Sequence, residues 1–358
     1  MANVSSFLKK ILDNLLQGYP ISKKDIKILL GLSDPDELNL LFNASCQVRA
    51  RYFGTGIFLY GFLYFSTHCR NNCMFCHYRH TNTSIDRYRK TLDQILNAAR
   101  QMTDTGVHLI DLTMGEDPEF YEFGKSGFKK LCAMVESVRK ETDIPVMISP
   151  GTLPDNVLKD LADIGTNWYA SYQETHNKEL YNRLRSGQVF EERIAKKAFA
   201  KSCGMLIEEG LLTGIGETDD DLADSILWMK DFQVDQARVM TFVPQENTPM
   251  ADVPPQGNLK EQIIIAAIRL VLGNVLIPAS LDVDGLEGLK VRLNAGANVV
   301  TSIVPPKEGL AGVANNSLDI EESRRSIDHI LPLLESCGLQ RASLNSFLSW
   351  TGKRLNHY

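Results

Sequence analysis

Three cysteines stand in the run Thr67-His68-Cys69-Arg70-Asn71-Asn72-Cys73-Met74-Phe75-Cys76-His77-Tyr78, a Cys-x3-Cys-x2-Cys triplet. A cubane iron–sulfur cluster takes one thiolate per iron, so three cysteines leave one iron open to a chelating ligand. A closed tetrathiolate site would need a further cysteine pair nearby, yet Cys46, Cys132, Cys203 and Cys337 are scattered singly. Two plainer readings of the triplet remain: a zinc knuckle completed by His68, His77 or His80, or a chance cluster.

Other residues of chemical interest sit where apolar runs end. Thr113-Met114-Gly115-Glu116-Asp117-Pro118 joins a bare backbone to a carboxylate, an arrangement that can meet an ammonium group and that also describes a turn with an N-cap. In Ser171-Tyr172-Gln173-Glu174-Thr175 an acid closes an apolar run and Arg193 follows on the next helix, where a surface ion pair worth little is the plainer account. Asp111 interrupts Leu109-Ile110-Asp111-Leu112, Arg238 sits in Ala237-Arg238-Val239-Met240, and Ser280, Asp282 and Asp284 end a further run. Inward-facing charges are costly unless paired. Either these residues point to a helix layer or bridge one another, or they form a pocket with one guanidinium for a carboxylate and acids for ammonium groups. The second arrangement fits a diamino acid. Thr213-Gly214-Ile215-Gly216-Glu217-Thr218 lacks the third glycine and the following acid of a dinucleotide fingerprint, which argues against NAD.

The elements that must hold these residues alternate. Helical spacing covers the first fifty-odd residues, starting with an amphipathic helix from Ser5 to Gln17, with breaks at Gly18 to Pro20 and Gly31 to Pro35. The β-rich run Ile57 to Phe65 leads directly into the cysteines. Strands are then predicted at 109–114, 146–149, 168–173, 205–213, 237–243, 275–280 and 298–303, each preceded by a helix, and terminal helices complete the chain. Eight βα repeats argue for a closed parallel barrel with its active site at the carboxyl ends of the strands, with an open doubly wound sheet as the alternative. Pro244 to Asn258 is too long for a minimal turn and is read as a lid or pocket wall.

Composition narrows the function classes. The chain has 358 residues, 44% hydrophobic and 23% charged, and its net charge of −6 comes without a dense basic tract. That disfavours a polynucleotide partner and favours a small molecule. No apolar segment approaches membrane-spanning length, and crowded cysteines suit a reducing, cytoplasmic setting.

The Cys-x3-Cys-x2-Cys spacing with Phe75 before the third cysteine resembles that of radical S-adenosylmethionine (SAM) enzymes. The resemblance implies a (β/α)8 TIM-type barrel with an N-terminal helical extension, residues 1–56 packed on a barrel of 57–358. It also implies a 4Fe–4S cluster held by Cys69, Cys73 and Cys76, its fourth iron bound by SAM, and a reductant such as ferredoxin or flavodoxin. The Gly115-Glu116 end resembles the segment that holds the SAM amine. The Gln-Glu-Thr-His run with Arg185 and Arg193 after it resembles the segment of biotin synthase and a hydrogenase maturase that binds SAM, which carries Glu174 to the ribose and Arg193 to the carboxylate. Tyr78, Ser149 and Tyr172 are further cofactor positions on the same ground, and Gly214 and Gly216 would allow close backbone approach near the adenine. Thr113, Met147 and Glu208 stand where biotin synthase has the cysteines of its sacrificial second cluster, so sulfur insertion lacks its donor.

Asp111, Arg238, Ser280 and Asp282 bring the resemblance to the methylornithine synthases of pyrrolysine biosynthesis, radical SAM isomerases that convert L-lysine to (3R)-3-methyl-D-ornithine. That likeness implies hydrogen abstraction from lysine, Cα–Cβ cleavage to a glycyl radical and an aminobutene fragment, and recombination. Arg238 and Ser280 would grip the carboxylate, and Asp111 and Asp282 the amines. A hydrogenase-maturation enzyme and a non-catalytic iron–sulfur or zinc scaffold are the alternatives, and a monomer is compatible with the sequence.

Overall fold

A computed structural model describes residues 6–314 and 325–355. Eight parallel strands form the centre: β1 (Gly56–Ser66), β2 (Leu109–Met114), β3 (Val146–Ser149), β4 (Trp168–Ala170), β5 (Leu206–Thr213), β6 (Gln236–Thr241), β7 (Pro278–Ser280) and β8 (Val299–Ile303). They pair in the order β6-β5-β4-β3-β2-β1-β8-β7. A single parallel bridge between Gln236 and Leu276 joins the two ends, so the sheet closes into a barrel and the open doubly wound alternative is overturned.

Helices lie outside. They are α1 (Ser6–Leu16), α2 (Lys23–Leu30), α3 (Pro35–Phe53), α4 (Leu92–Asp104), α5 (Pro118–Tyr121), α6 (Gly124–Thr142), α7 (Asp155–Asp163), α8 (Lys178–Leu184), α9 (Phe190–Ser202), α10 (Asp219–Phe232), α11 (Leu259–Leu272), α12 (Gly285–Asn294), α13 (Ile327–Ser336) and α14 (Leu344–Leu355). Local chemistry starts several of them: Ser22, Thr91 and Thr218 each form a capping box at the head of α2, α4 and α10. The N-terminal helices pack along α10 to α12. Lys23 and Lys27 reach Asp220, Lys260 Nζ donates to the Leu30 carbonyl, and Ser45 Oγ donates to the Ala295 carbonyl at 2.6 Å.

The barrel interior is layered. Phe58, Leu109, Met147, Trp168, Leu206 and Val299 fill its lower part, and Phe347 and Trp350 of α14 cover the amino end. One step further along the same strands the interior turns polar, with Asp111, Glu208 and Arg238. This period-two alternation from apolar to charged puts the charges at the active end.

Several strand boundaries lie one residue from the sequence expectation, β6 ends two residues early at Thr241, and two boundaries move by three. β4 ends at Ala170 instead of reaching Gln173, because the Tyr172 ring lies where a side chain on Gly210 would be, and Glu174 takes a left-handed φ of 65°. β7 begins at Pro278 instead of Val275. Pro cannot donate to a ladder, which keeps the seam short.

Candidate active site

β1 carries a register irregularity between Tyr64 and Ser66, and the chain then leaves the barrel rim as the cysteine loop. Arg87 organises that loop by donating to four carbonyls, those of Thr67 (2.7 Å), Tyr78 (3.1 Å), Arg79 (2.7 Å) and Asn82 (3.0 Å). The Met74 N–H donates to the Leu184 carbonyl at 2.8 Å, tying the loop to α8. Gly115 meets the loop so closely that a Cβ there would overlap the His68 carbonyl oxygen and lie 2.7 Å from Cys69 Cβ. Side-chain size at position 115 therefore sets where the first thiol stands.

The three thiols share one electrostatic environment. Burial pushes the Cys69 thiol up to about 11, and Cys76 is raised further by burial and then by the neighbouring Cys73 and Cys69. Cys73 Sγ accepts from Gln188 Nε2 at 3.0 Å and from Arg185 Nη1 at 3.5 Å. Among the described residues no three His, Cys, Asp or Glu side chains converge as ligands of one ion.

Around the loop stands a ring of buried polar groups. The Glu116 carboxylate accepts from Arg70 Nε at 2.9 Å and from Thr152 N at 3.0 Å, and Arg193 lies 3.8 Å away. Those cations and donors hold its carboxyl below the usual range despite burial. Arg193 donates to Ser171 Oγ at 2.9 Å and Gln188 Oε1 at 2.7 Å. Glu174 Oε1 accepts from Arg185 Nη2 at 2.8 Å, whereas Glu174 Oε2 is buried without a partner among the described residues. Tyr78 is buried and donates to the Gly312 carbonyl at 3.1 Å. Beyond the thiols, Glu217 closes the turn of Gly214 and Gly216 by accepting from the Gly214 and Ile215 N–H groups, both at 2.9 Å.

The donor set fits a cubane cluster with a chelating SAM: three thiols from one loop packed closely on Gly115, and an orphaned carboxylate oxygen on Glu174 that calls for a donor. Cys69, Cys73 and Cys76 are the residues that could hold the cluster.

The second group lies inside the barrel. Asp111 Oδ1 accepts from Ser149 Oγ at 3.0 Å and Thr113 Oγ1 at 3.1 Å, and burial together with the Glu208 charge pushes its carboxyl up to about 7. Arg238 Nε donates to Glu208 Oε1 at 2.7 Å and Arg238 Nη1 to Thr301 Oγ1 at 3.1 Å. Its guanidinium carbon is 5.7 Å from the Tyr172 ring centre. An internal bridge does form, then, but to Glu208 and not to an aspartate. Sequence reasoning did not single out Glu208 as a substrate residue, nor Gln188 or Arg87 at all. Glu208 was legible as an acid within the apolar strand Met205 to Thr213, whereas the other two are loop and surface positions in sequence.

The carboxyl end of β7 is arranged differently from expectation. Ser280 Oγ lies 3.0 Å from Ser302 Oγ. The Asp282 carboxylate is engaged on both oxygens, by Arg325 Nη1 at 2.9 Å and by the Val313 N–H at 2.9 Å. Asp284 faces away: it is exposed, left-handed at φ 61°, and accepts from Asn258 Nδ2 at 2.9 Å. A cavity of about 80 Å³ bordered by Cys76, Glu174, Met240, Gln245, Ser280 and Asp282 links the thiol loop to β7. Part of the Pro244 to Asn258 segment walls it, as Gln245 shows, and Met250 packs with Leu180 and Leu212 over the rim.

Residues 63–229 match the radical SAM superfamily. A 3-methylornithine synthase of Methanosarcina barkeri is 42% identical over 94% of each chain, and the FeFe-hydrogenase maturase subunit HydE of Thermotoga maritima is 28% identical over 82% of each. The crystal structure of a methylornithine synthase superposes with a TM-score of 0.89 at 41% identity, covering 95% of this chain and 99% of that one. With that identity extending over nearly the whole of both chains, the protein belongs to the 3-methylornithine synthase family of radical SAM enzymes.

Proposed function

We propose that the protein converts L-lysine to (3R)-3-methyl-D-ornithine, drawing single electrons from a donor such as a ferredoxin or flavodoxin. The observation that carries this reading is the 42% identity along 94% of both chains with an enzyme named for that product. A 4Fe–4S cluster and SAM, when bound, supply a 5′-deoxyadenosyl radical able to take a hydrogen atom from lysine.

The chain's own residues bind, orient and exclude water. Cys69, Cys73 and Cys76 would hold the cluster, with Arg185 and Gln188 hydrogen-bonded to the Cys73 sulfur. Gly115 and Glu116 would meet the SAM amine, Arg193 its carboxylate and the orphaned oxygen of Glu174 its ribose, with Tyr78, Ser149 and Tyr172 as further cofactor contacts, although Ser149 and Tyr172 lie against Asp111 and Arg238. Arg238 and Ser280 would receive the lysine carboxylate, and Asp111 and Asp282 its ammonium groups. Asp282 must then exchange Arg325 and its backbone donors for substrate. Burial of Asp111, Glu208, Arg238 and Ser280 keeps water from the fragments during recombination.

The test is anaerobic reconstitution and then incubation with SAM, reductant and lysine, with an isobaric, branched product as the expected result. SAM cleavage without any change in lysine would transfer the reading to a hydrogenase-maturation type of reaction. Absence of SAM cleavage would leave a scaffold. Wild-type turnover in both Arg238→Ala and Asp282→Asn would sink the pocket assignment.

A further inference from the structure

Two orphaned charged atoms face one another's partners inside the barrel. Glu208 and Arg238 meet end-on, through Oε1 and Nε at 2.7 Å, instead of as a two-bond fork. Among the described residues Glu208 Oε2 therefore has no donor at hydrogen-bond distance, the Tyr172 hydroxyl being the further polar group set beside this carboxylate, and Arg238 Nη2 has no acceptor, although both are buried. An unpaired carboxylate oxygen and an unpaired guanidinium nitrogen are each expensive to bury, and here they belong to a single ion pair on neighbouring strands. The ligand chemistry that satisfies both is an ammonium and a carboxylate carried on one carbon. Asp282, by contrast, has donors on both oxygens already. Asp111 lies in the same group, and its charge, with those of Glu208 and Arg238, reaches the Tyr60 hydroxyl.

We infer that Glu208 is a specificity-determining residue, its free oxygen accepting the α-ammonium of the amino-acid substrate while its other oxygen fixes Arg238 on the α-carboxylate. This rests on the lysine reading and extends it to a residue that reading does not use. Glu208 would reject diamines, which leave Arg238 Nη2 unpaired, and ω-amino acids, which leave Glu208 Oε2 unpaired.

Equilibrium binding of radiolabelled lysine and of 6-aminohexanoate, which lacks the α-amino group, is measured on the anaerobically reconstituted protein with SAM. Wild type is expected to prefer lysine at least tenfold. Glu208→Gln should lose most of that preference, and Asp284→Asn, at the exposed acid that faces away from the pocket, should keep it. Glu208→Asp, which retains the charge, should recover part of it and guards against a folding defect in the glutamine variant. Overturning results are an unchanged lysine preference in Glu208→Gln, or an equal loss of both ligands with no recovery in Glu208→Asp, which would mark a purely structural role. If wild type binds neither ligand, the lysine reading falls and this inference with it. If wild type binds both equally, only the inference falls.

Discussion

Asp111 is the residue whose protonation should be felt in binding. Its carboxyl is pushed up to about 7 by burial first and by the Glu208 carboxylate second, against the pull of Arg238 and the hydroxyls of Ser149 and Thr113. A substrate ammonium beside it favours the ionised form, so lysine binding should release a proton where the free carboxyl is protonated. Affinity accordingly rises with pH through about 7 and then levels. If only ionised Asp111 binds, the gain between about pH 6 and about pH 8 is roughly tenfold. Calorimetric titration in buffers of differing ionisation enthalpy measures both the affinity and the released proton. Asp111→Asn should flatten the curve, and a wild-type curve already flat would exclude Asp111 from the ammonium site. Asp111 and Arg238 were legible because a charge inside an apolar strand has few places to go. Asp282 was legible as an acid at a strand end, but its partner Arg325 lies 43 positions away and no local pattern announces that pairing.

At the scale of elements, the thiol loop depends on what the strands beside it leave out. Gly115 packs against backbone at His68, and backbone cannot swing aside as a side chain can. Gly115→Ala should displace Cys69, costing about 1–3 kcal/mol by overpacking, and iron content after reconstitution should fall while circular dichroism stays that of the intact barrel. Full cluster loading in that variant would show that the loop tolerates the shift. The segment from Ser171 to Thr175 depends instead on a buried pair behind it. Lys197 and Glu209 are fully buried and ion-paired, and Glu209 Oε1 accepts from the Gln173 N–H at 2.7 Å. Lys197→Met would leave that carboxylate uncompensated, at a cost of roughly 3–5 kcal/mol. Urea denaturation should show that loss, and adding Glu209→Gln should restore part of it. Most strand positions, and the helix between each pair, were legible from alternation and capping, β2 and β3 to the residue. The end of β4 was not, because its left-handed turn at Glu174 is set by Gly210 across the sheet, a tertiary contact invisible in local sequence.

For the whole molecule, the eight strands and the closed barrel they argue for were both visible, whereas how the two ends of the sheet are held was not, since that depends on side chains brought together only in the fold. β6 and β7 share one bridge, between Gln236 and Leu276, where the other neighbours share ladders. Arg269, fully buried on α11, supplements that seam. Its guanidinium donates to the carbonyls of Gly296 (3.0 Å), Gly273 (2.6 Å) and Val275 (2.7 Å) and to Asn298 Oδ1 (2.7 Å), which in turn accepts from the Ile277 N–H at 2.8 Å. One side chain thus satisfies backbone groups in the segments that lead into β7 and β8, next to the bridge where strand pairing is thinnest. Arg269→Met keeps the apolar stem and removes every one of those donors, so about 3 kcal/mol of stability should go with them. The loss should also be local before it is global. Amide hydrogen exchange at Leu276, Ile277 and Ala237 should accelerate in the variant while β1 and β2, paired along six positions, keep wild-type protection. Since Ser280 and Asp282 hang from the end of β7, lysine affinity should weaken together with that exchange. Uniform acceleration across the barrel would mean that closure is cooperative with the rest of the sheet, and that Arg269 stabilises the whole ring instead of one seam.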